Sequence, residues 1–254
     1  MTHKFCLLAL LLLGLAVACS KEASVSVETG KSGSITRFAV HNGYMYALNP
    51  NEVLTYSLTD PDHPQLVHRL STDYGLETIV VYEGRIYLGS RTALYILDIG
   101  NPAAPTIISQ ADRPEALFRG CDPVVVEGSY AYSTVKIIQN ICGNVSAFSA
   151  LLTYNVGDPE NPVNTSRTDM NLPNGLGVRD GYLFVCDEGD DLLAVYDLTD
   201  PARPLRQSSL DVAITDPVDL IIDNQRMIVS TKTDFQIFDI SQLPLVTRVG
   251  SIAK

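Results

Sequence analysis

The chain has 254 residues, of which 18 are lysine or arginine and 29 are aspartate or glutamate, so its formal net charge is −11. An acidic balance of this size argues against nucleic acid and against anionic membrane surfaces as partners. Tyrosine occurs twelve times and tryptophan is absent, which removes the commonest sugar-stacking side chain.

The first eighteen residues, 1–18, are predicted to be a secretory signal peptide. Lys4 supplies a positive charge, and the apolar run from Phe5 to Val17 is shorter than the roughly 20 residues that span a bilayer. The segment from Ala16 to Cys19 resembles the lipobox of bacterial lipoproteins, although Leu15 stands one place earlier than the usual leucine. The resemblance implies that Cys19 is acylated and becomes the new N-terminus. An ordinary signal peptide with an incidental cysteine is the alternative.

Residues 19–33 are predicted to form a lipidated tether. The segment Ser20-Lys21-Glu22 resembles the short charged signals that send Bacteroidetes lipoproteins to the cell surface. Removal of the signal peptide leaves positions 19–254, and because Lys4 is the one charged residue lost, the net charge changes from −11 to −12. We therefore expect a soluble body, anchored through lipid to the outer membrane of the cell envelope and displayed at its surface.

A half-repeat in the remaining chain consists of a glycine followed by an aromatic-rich strand. It occurs at 43–46, 84–87, 128–132 and 181–184, and in a weaker form without glycine at 225–228. A second half-repeat ends in a turn with two prolines, at 56–64, 97–105, 154–162 and 196–204, and in a shortened form at 238–244. The position after the aromatic falls at 57, 98, 155, 197 and 239, so the spacing is nearly constant except for one longer step into the third repeat.

Each repeat contains four short runs rich in β-branched and aromatic residues. In the second repeat these runs are 78–81, 85–88, 93–97 and 106–108. Repeats of about 40–45 residues with four strands are typical of propeller blades. The sequence therefore predicts an all-β fold over 34–254, a five-bladed β-propeller with four-stranded antiparallel blades. The alternatives are a pair of β-sandwiches, or a six-bladed ring that uses Ser24 to Glu28 as extra strand material.

The repeats resemble the LVIVD-repeat family of bacterial propeller proteins. The resemblance covers roughly residues 34 to 252 and rests on the segment from Tyr95 to Pro105, whose pattern recurs five times. It implies a propeller fold and an envelope location, and it implies no established activity. The absence of tryptophan argues against the WD-repeat, quinoprotein and sialidase types of propeller.

The third repeat is longer than the others because of an insertion from Thr134 to Ser149, which carries Cys142. Cys121 stands before the first strand of the same repeat, and disulfides persist in an oxidising compartment. A Cys121–Cys142 bridge would close a loop of about 20 residues, worth up to roughly 3 kcal/mol. Cys186 lies in an apolar strand and is interpreted as a small buried hydrophobe. The alternative is that all three thiols are free.

No catalytic motif is evident in the sequence. His41, His63 and His68 lack metal-ligand spacing, and no Gly-x-Ser-x-Gly elbow occurs. The acidic run 187–191 fits a calcium loop poorly and is interpreted as a solvated loop. We predict no catalytic residue, no metal site and no cofactor.

One polar set recurs ten residues before the aromatic of each repeat. Its members are Thr36, Glu77, Asp122 and Asn174, with Asp216 and Asp219 near the equivalent place in the fifth repeat. In a propeller these positions enter the innermost strands, so they would surround one mouth of the central channel. They are a candidate ligand ring, and the competing interpretation is that the aspartates before proline only start turns.

The sequence thus favours a non-enzymatic binding or scaffold module whose partner is an envelope protein or a glycan. An envelope carbohydrate-active enzyme, a hydrolase or lyase that uses Glu77 and Asp122, is the alternative, because such catalysis needs two carboxylates at set distances. A calcium-stabilised structural module is a third interpretation.

Overall fold

The computed structural model describes residues 32–33, 36–73, 75–91, 93–112, 123–141 and 144–254. The predicted signal peptide, the lipid attachment site Cys19, and Cys121, Asp122 and Cys142 lie outside these residues. Among the residues that the structure describes, no helix is long and apolar enough to cross a lipid bilayer.

The described chain is built almost wholly from β-strands, which we number in chain order. The first nine are β1 (Ser32–Gly33), β2 (Phe38–His41), β3 (Tyr44–Asn49), β4 (Glu52–Ser57), β5 (Gln65–Ser71), β6 (Leu76–Tyr82), β7 (Arg85–Ser90), β8 (Ala93–Asp98) and β9 (Thr106–Asp112). The middle strands are β10 (Val124–Glu127), β11 (Tyr130–Ile141), β12 (Asn144–Asn155), β13 (Val163–Asp169), β14 (Pro173–Arg179), β15 (Tyr182–Asp187) and β16 (Leu192–Asp197). The last are β17 (Leu205–Arg206), β18 (Val212–Ala213), β19 (Pro217–Asp223), β20 (Arg226–Thr231), β21 (Asp234–Gln242) and β22 (Leu245–Ala253).

These strands form five antiparallel sheets, one for each predicted repeat. Blade 1 is β2–β5, blade 2 is β6–β9, blade 3 is β10–β13, blade 4 is β14–β18 and blade 5 is β19–β22. The predicted count of five sheets is confirmed. Blade 4 departs from four strands because a short 3₁₀ turn at Ser208–Leu210 divides its outer strand into β17 and β18.

Local turn chemistry explains both half-repeats. Residue pairs with positive φ, such as Asn42-Gly43 (48° and 76°) and Asp180-Gly181 (49° and 78°), join the first two strands of a blade, as two-residue hairpins require. In the double-proline turns an Asp or Asn side chain accepts a bond from the backbone N–H two residues later. This occurs at Asp60, Asn101, Asp158 and Asp200.

Apolar side chains pack between neighbouring blades, and four buried clusters join blade 1 to 2, 2 to 3, 3 to 4 and 4 to 5. Repeat tyrosines also bond across two of these interfaces. The hydroxyl of Tyr46 donates to the carbonyl of Pro102 (2.9 Å), and that of Tyr132 donates to the carbonyl of Pro201 (3.1 Å). Among the described residues no such cluster joins blade 5 to blade 1.

The short strand β1 occupies the central channel. It pairs antiparallel with β14, with Ser32 opposite Gly177 and Gly33 opposite Leu176, and it lies beside the innermost strands β6, β10 and β19. We call the face where the innermost strands begin the top face and the opposite one the bottom face. Because β1 runs against β14, the chain passes through the channel from the bottom face to the top face. Ser32, the first residue of β1, is also the first residue that the structure describes.

The insertion in the third repeat forms an extended hairpin. β11 and β12 have twelve residues each, whereas the corresponding β7 and β8 have six. Six residue pairs, from Lys136–Ser149 to Ile141–Asn144, continue the hairpin at the top face. We call this segment, residues 136–149, the arm.

Candidate site at the top face

The predicted ring positions begin the innermost strands at the top face. Thr36 precedes β2 by two residues, Glu77 and Asn174 are the second residues of β6 and β14, and Asp216 directly precedes β19. Asp122 lies outside the described residues. The structure brings Asn174 and Asp216 into one charged network, and it places Glu77 in a separate ion pair.

The residues that partner the ring were not predicted from the sequence. They stand four residues after the repeat aromatic, or after Ile228 in the fifth repeat, and they are Arg91, Lys136, Glu188 and Lys232. Arg91, Glu188 and Lys232 directly follow the second strand of blades 2, 4 and 5, whereas Lys136 lies within the longer β11 of blade 3. The signal was the same kind of fixed offset that identified the ring itself. Arg91 and Lys232 pair with the ring carboxylates of Glu77 and Asp216, and Lys136 pairs with Glu188.

Glu188 lies at the centre of the network that joins blades 3, 4 and 5. Its carboxylate accepts from Nζ of Lys136 (2.9 Å) and from Nζ of Lys232 (2.9 Å), and Lys232 also bonds Asp216 (2.7 Å). Hydrogen bonds from Asn174, Lys232 and Lys136 lower the pKa of Glu188 to about 2. The bonds that Lys232 makes with Asp216 and Glu188 raise the pKa of its ammonium group.

Asn174 connects the same three blades through four hydrogen bonds. Its Nδ2 donates to Glu188 (3.0 Å) and to the backbone carbonyl of Pro217 in blade 5 (3.1 Å). Its Oδ1 accepts from Lys136 (3.2 Å), and its backbone carbonyl accepts from the hydroxyl of Thr134 in blade 3 (2.7 Å). The amide is therefore engaged within the protein, as a positioning group between blades.

Glu77 is buried on blade 2, where its Oε1 accepts from Nε of Arg91 at 2.7 Å. Its Oε2 is enclosed without a hydrogen-bond partner. On the blade 1 side, Arg37 donates to the backbone carbonyl of Leu76 (3.2 Å), and the carbonyl of Thr36 accepts from the N–H of Ile79 (3.3 Å). The backbone of Thr36 and the side chain of Arg37 thus join blade 1 to blade 2 at the top face, whereas Glu77 is bonded within blade 2.

The acidic run 187–191 is a hydrogen-bonded loop. The buried carboxylate of Asp187 accepts from the backbone N–H groups of Asn171, Leu172 and Gly189. The side chain of Asp190 accepts from the Asn171 amide, and that of Asp191 accepts from the N–H of Asp216. The carboxylates of Asp187, Asp190 and Asp191 thus accept hydrogen bonds from backbone and amide N–H groups of the protein. No group of three metal-ligating side chains occurs among the described residues.

Cys186 is a buried free thiol on β15, and burial raises its pKa well above the ordinary value. It packs in the cluster between blades 4 and 5. A thiol in this state is a poor nucleophile, which agrees with the interpretation of Cys186 as a small core residue. The Cys121–Cys142 bridge stays a prediction, since both residues lie outside the described part of the chain.

The top face of the described chain carries charged side chains that are already engaged with one another. Its described charges neutralise one another in pairs, and β1 fills the channel that the ring surrounds. The pair Glu77 and Asp122, proposed for glycoside chemistry, depends on a residue outside the described chain, and the described oxygen Oε1 of Glu77 is already bonded to Arg91. This arrangement does not favour the enzyme interpretation.

The fold and the site define a propeller-like repeat protein. Comparison with family models identifies the second blade as an LVIVD repeat, with the match covering residues 77–112. The match confirms the resemblance to LVIVD-repeat proteins, and it coincides with the four strands β6–β9. No curated protein matches the sequence.

Solved structures agree with the fold. A functionally unknown protein from Desulfotomaculum acetoxidans DSM 771 has a TM-score of 0.51 at 9% identity, over 84% of this chain and 80% of that chain. Kluyveromyces lactis Hsv2 has a TM-score of 0.53 at 14% identity, over 83% and 60%. A structure of S. cerevisiae Dbp5 bound to Nup159 and Gle1 has a TM-score of 0.50 at 10% identity, over 85% and 61%. The chain thus spans about three fifths of the latter two chains. At these identities the likeness shows the β-propeller fold alone.

Proposed function

We propose that this protein is a lipid-tethered, non-enzymatic binding propeller that presents its top face and its arm to a protein partner. The observation that carries the proposal is the direction of β1, which enters the channel at the bottom face. The predicted lipid on Cys19 lies thirteen residues before Ser32, a span of at most about 45 Å. The bottom face would then face the outer membrane, and the top face would face away from it.

The arm supports a protein as the partner. Its six residue pairs extend it by about 20 Å on the same face as the charged network. In the described ladders residues 137–148 pair only with each other, because β10 and β13 pair with the parts of β11 and β12 nearer the bottom face. At the base of the arm the carbonyl of Ser149 accepts from the N–H of Met170 (2.9 Å). Both edges of the ribbon therefore offer backbone N–H and C=O groups, which an extended peptide can use for strand addition.

Orientation is tested with the purified lipidated protein on liposomes. Single cysteines replace Thr233 in a top turn and Asn224 in a bottom turn, both exposed, and a bulky polyethylene glycol maleimide is added. We expect the Thr233→Cys protein to react several-fold faster than the Asn224→Cys protein on liposomes, and at an equal rate after the Cys19→Ser change releases it. Equal rates on liposomes would refute the proposed orientation.

Partner binding is tested in intact cells by shortening the arm. Residues 137–148 are replaced by Asn-Gly, which closes Lys136 and Ser149 with a two-residue turn. We expect amine cross-linking to lose a partner that the full-length protein retains, while the urea unfolding midpoint stays within experimental error. A partner retained by the shortened protein would refute a role for the arm.

A further inference from the structure

The backbone of the arm alternates between its partner strand and the opposite side. In an antiparallel ladder the N–H and C=O of one residue point to the same neighbour, and successive residues alternate between the two sides. The carbonyl of Ser149 bonds the N–H of Met170 on the side of β13, so the backbone groups of Ser149 point away from β11. Those of Phe148 therefore point to β11, and those of Ala147 and Val145 point away from it.

We call the backbone groups of Val145 and Ala147 the outer edge of the arm. This edge offers two donors and two acceptors, and its two residues lie about 7 Å apart along the strand. On β11 the same alternation turns the backbone groups of Ile138 and Asn140 to the opposite side, which we call the inner edge. The two strands of the ribbon therefore have separate edges that can be tested independently.

The chain that follows β13 does not cover the outer edge. The register between β12 and β13 would place Leu172 opposite Ala147. Leu172 turns into blade 4 instead, where its N–H donates to Asp187 (2.9 Å) and its carbonyl accepts from the N–H of Glu188 (3.0 Å). The chain thus leaves β12 after Met170, and the outer edge has no partner in the described ladders.

The sequence of the arm lacks the residues that normally protect a sheet edge. Native edge strands carry charged residues or proline, which prevent pairing with another chain. Each outer strand of the five blades follows this rule and contains a charged residue, at Arg69, Asp112, Arg167, Arg206 and Arg248. Residues 137–149 contain no charged residue and no proline, a composition that favours pairing with a further strand.

We infer that the outer edge is the interaction surface of the arm, and that its occupant is an extended segment of a separate protein, which adds to β12 as an antiparallel strand. The inference rests on the proposed function and gives the partner a chemistry, namely a strand whose backbone exchanges hydrogen bonds with Val145 and Ala147. The outer edge lies at the periphery of blade 3, on the side of β13, whereas the inner edge lies on the side of β10, the innermost strand. An incoming strand therefore has free access at the outer edge.

The base of the arm is held on both strands, so the outer edge is presented in one direction. On β11, Nζ of Lys136 bonds Glu188 (2.9 Å) and Asn174 (3.2 Å) of blade 4. On β12, Ser149 bonds Met170. An edge that is fixed before binding loses less entropy on association, so the charged network positions the arm for its partner.

The direction of the arm favours a separate protein over a second copy. In the proposed orientation, copies anchored in one membrane point their arms the same way, so two outer edges could pair only in parallel. The ladders of the described chain are antiparallel, and parallel pairing is slightly less stable per residue. A segment of a separate protein is free to add in the antiparallel direction.

The test places a photo-cross-linking amino acid at Ala147 on the outer edge and, as a matched control, at Ile138, its opposite residue on the inner edge. The full lipidated protein is irradiated in intact cells, and the cross-linked peptide is identified by mass spectrometry. We expect the Ala147 position to capture a segment of one separate protein, and the Ile138 position not to capture it. No product at Ala147, equal capture at both positions, or a product of twice the chain mass would overturn the inference.

A synthetic peptide with the captured sequence is then the probe, and its affinity for the purified mature Cys19→Ser protein is measured by fluorescence anisotropy. Ala147→Pro removes an N–H of the outer edge and leaves the bonds between β11 and β12 in place, so it should weaken peptide binding at least ten-fold. Ile138→Pro makes the same change at the inner edge and should leave the affinity within two-fold. Equal affinities of the two variants would overturn the inference.

Failure of this inference and failure of the proposed function give different results. If the protein with the shortened arm retains the partner in cells, the arm has no binding role and the proposed function fails. If the shortened arm loses the partner but Ala147→Pro binds the peptide as the parent does, the arm binds by another route and this inference alone fails.

Discussion

The different burial of two equivalent repeat positions predicts unequal costs for the substitutions Phe38→Ala and Ile79→Ala. Ile79 is 6% exposed between blades 1 and 2, and removing a buried isoleucine side chain costs about 2–5 kcal/mol. Phe38 is 55% exposed. Full burial of a large apolar side chain contributes about 1.5–3 kcal/mol, so Phe38 with less than half its surface covered contributes about 1 kcal/mol.

The assay is equilibrium urea unfolding of the mature Cys19→Ser protein and of the two alanine variants. We expect the free energy of unfolding to fall by about 3 kcal/mol for Ile79→Ala and by about 1 kcal/mol or less for Phe38→Ala. The denaturant slope should be unchanged for both, because the surface exposed on unfolding is nearly the same. An equal loss of stability for both variants would mean that Phe38 is as buried as Ile79 in solution, and the reasoning from their exposure would then be wrong.

Three further predictions follow from the charged network, the blade 4–5 interface and the cysteines. The folded-state pKa of Glu188 is lowered to about 2, so its stabilisation is complete above about pH 4.5 and is lost as the pH falls toward 2; Glu188→Gln should therefore reduce the acid loss of stability in this window. At Gly177 a Cβ would lie 2.5 Å from a leucine carbon of blade 5, so Gly177→Ala should cost about 1–3 kcal/mol. Non-reducing peptide mapping should recover a peptide that links Cys121 to Cys142.

Each of these predictions has a control within the chain. Urea midpoints of Glu188→Gln should converge with those of the parent near pH 2, and parallel curves down to that pH would contradict the assignment. Gly250→Ala meets its nearest atom at 3.8 Å and should be nearly neutral. Cys186, being buried and free, should react with a thiol reagent only after unfolding. Alkylation of both Cys121 and Cys142 in the native protein would exclude the bridge.

The five sheets could be predicted from the sequence because their signals are local. A positive-φ pair such as Asp180-Gly181 fixes a hairpin, and Asp200 before proline fixes a turn through its own side chain. Alternating apolar residues then determine which side chains face a neighbouring blade. The ring positions followed from a fixed offset of ten residues before the repeat aromatic. A second fixed offset, four residues after that aromatic, would have identified Arg91 and Lys136 as the partners of Glu77 and Asn174.

Other features lacked a local signal. The strand β1, Ser32–Gly33, is too short to show periodicity, and its place in the channel depends on an unpaired edge of β14, which follows only after three intervening blades. The engagement of Glu188 by two lysines from different blades likewise depends on how blades 3, 4 and 5 are arranged in space.

The sequence by itself determined the repeat, the four strands of each blade and the residues that face between blades, because turns and alternation act over a few neighbouring residues. Only the tertiary structure decided whether those faces are covered. Phe38 and Ile79 occupy the same place in the repeat, yet one is exposed and the other is buried. Closure of the ring depends on the sum of the angles between five successive blades, and no single repeat encodes that sum.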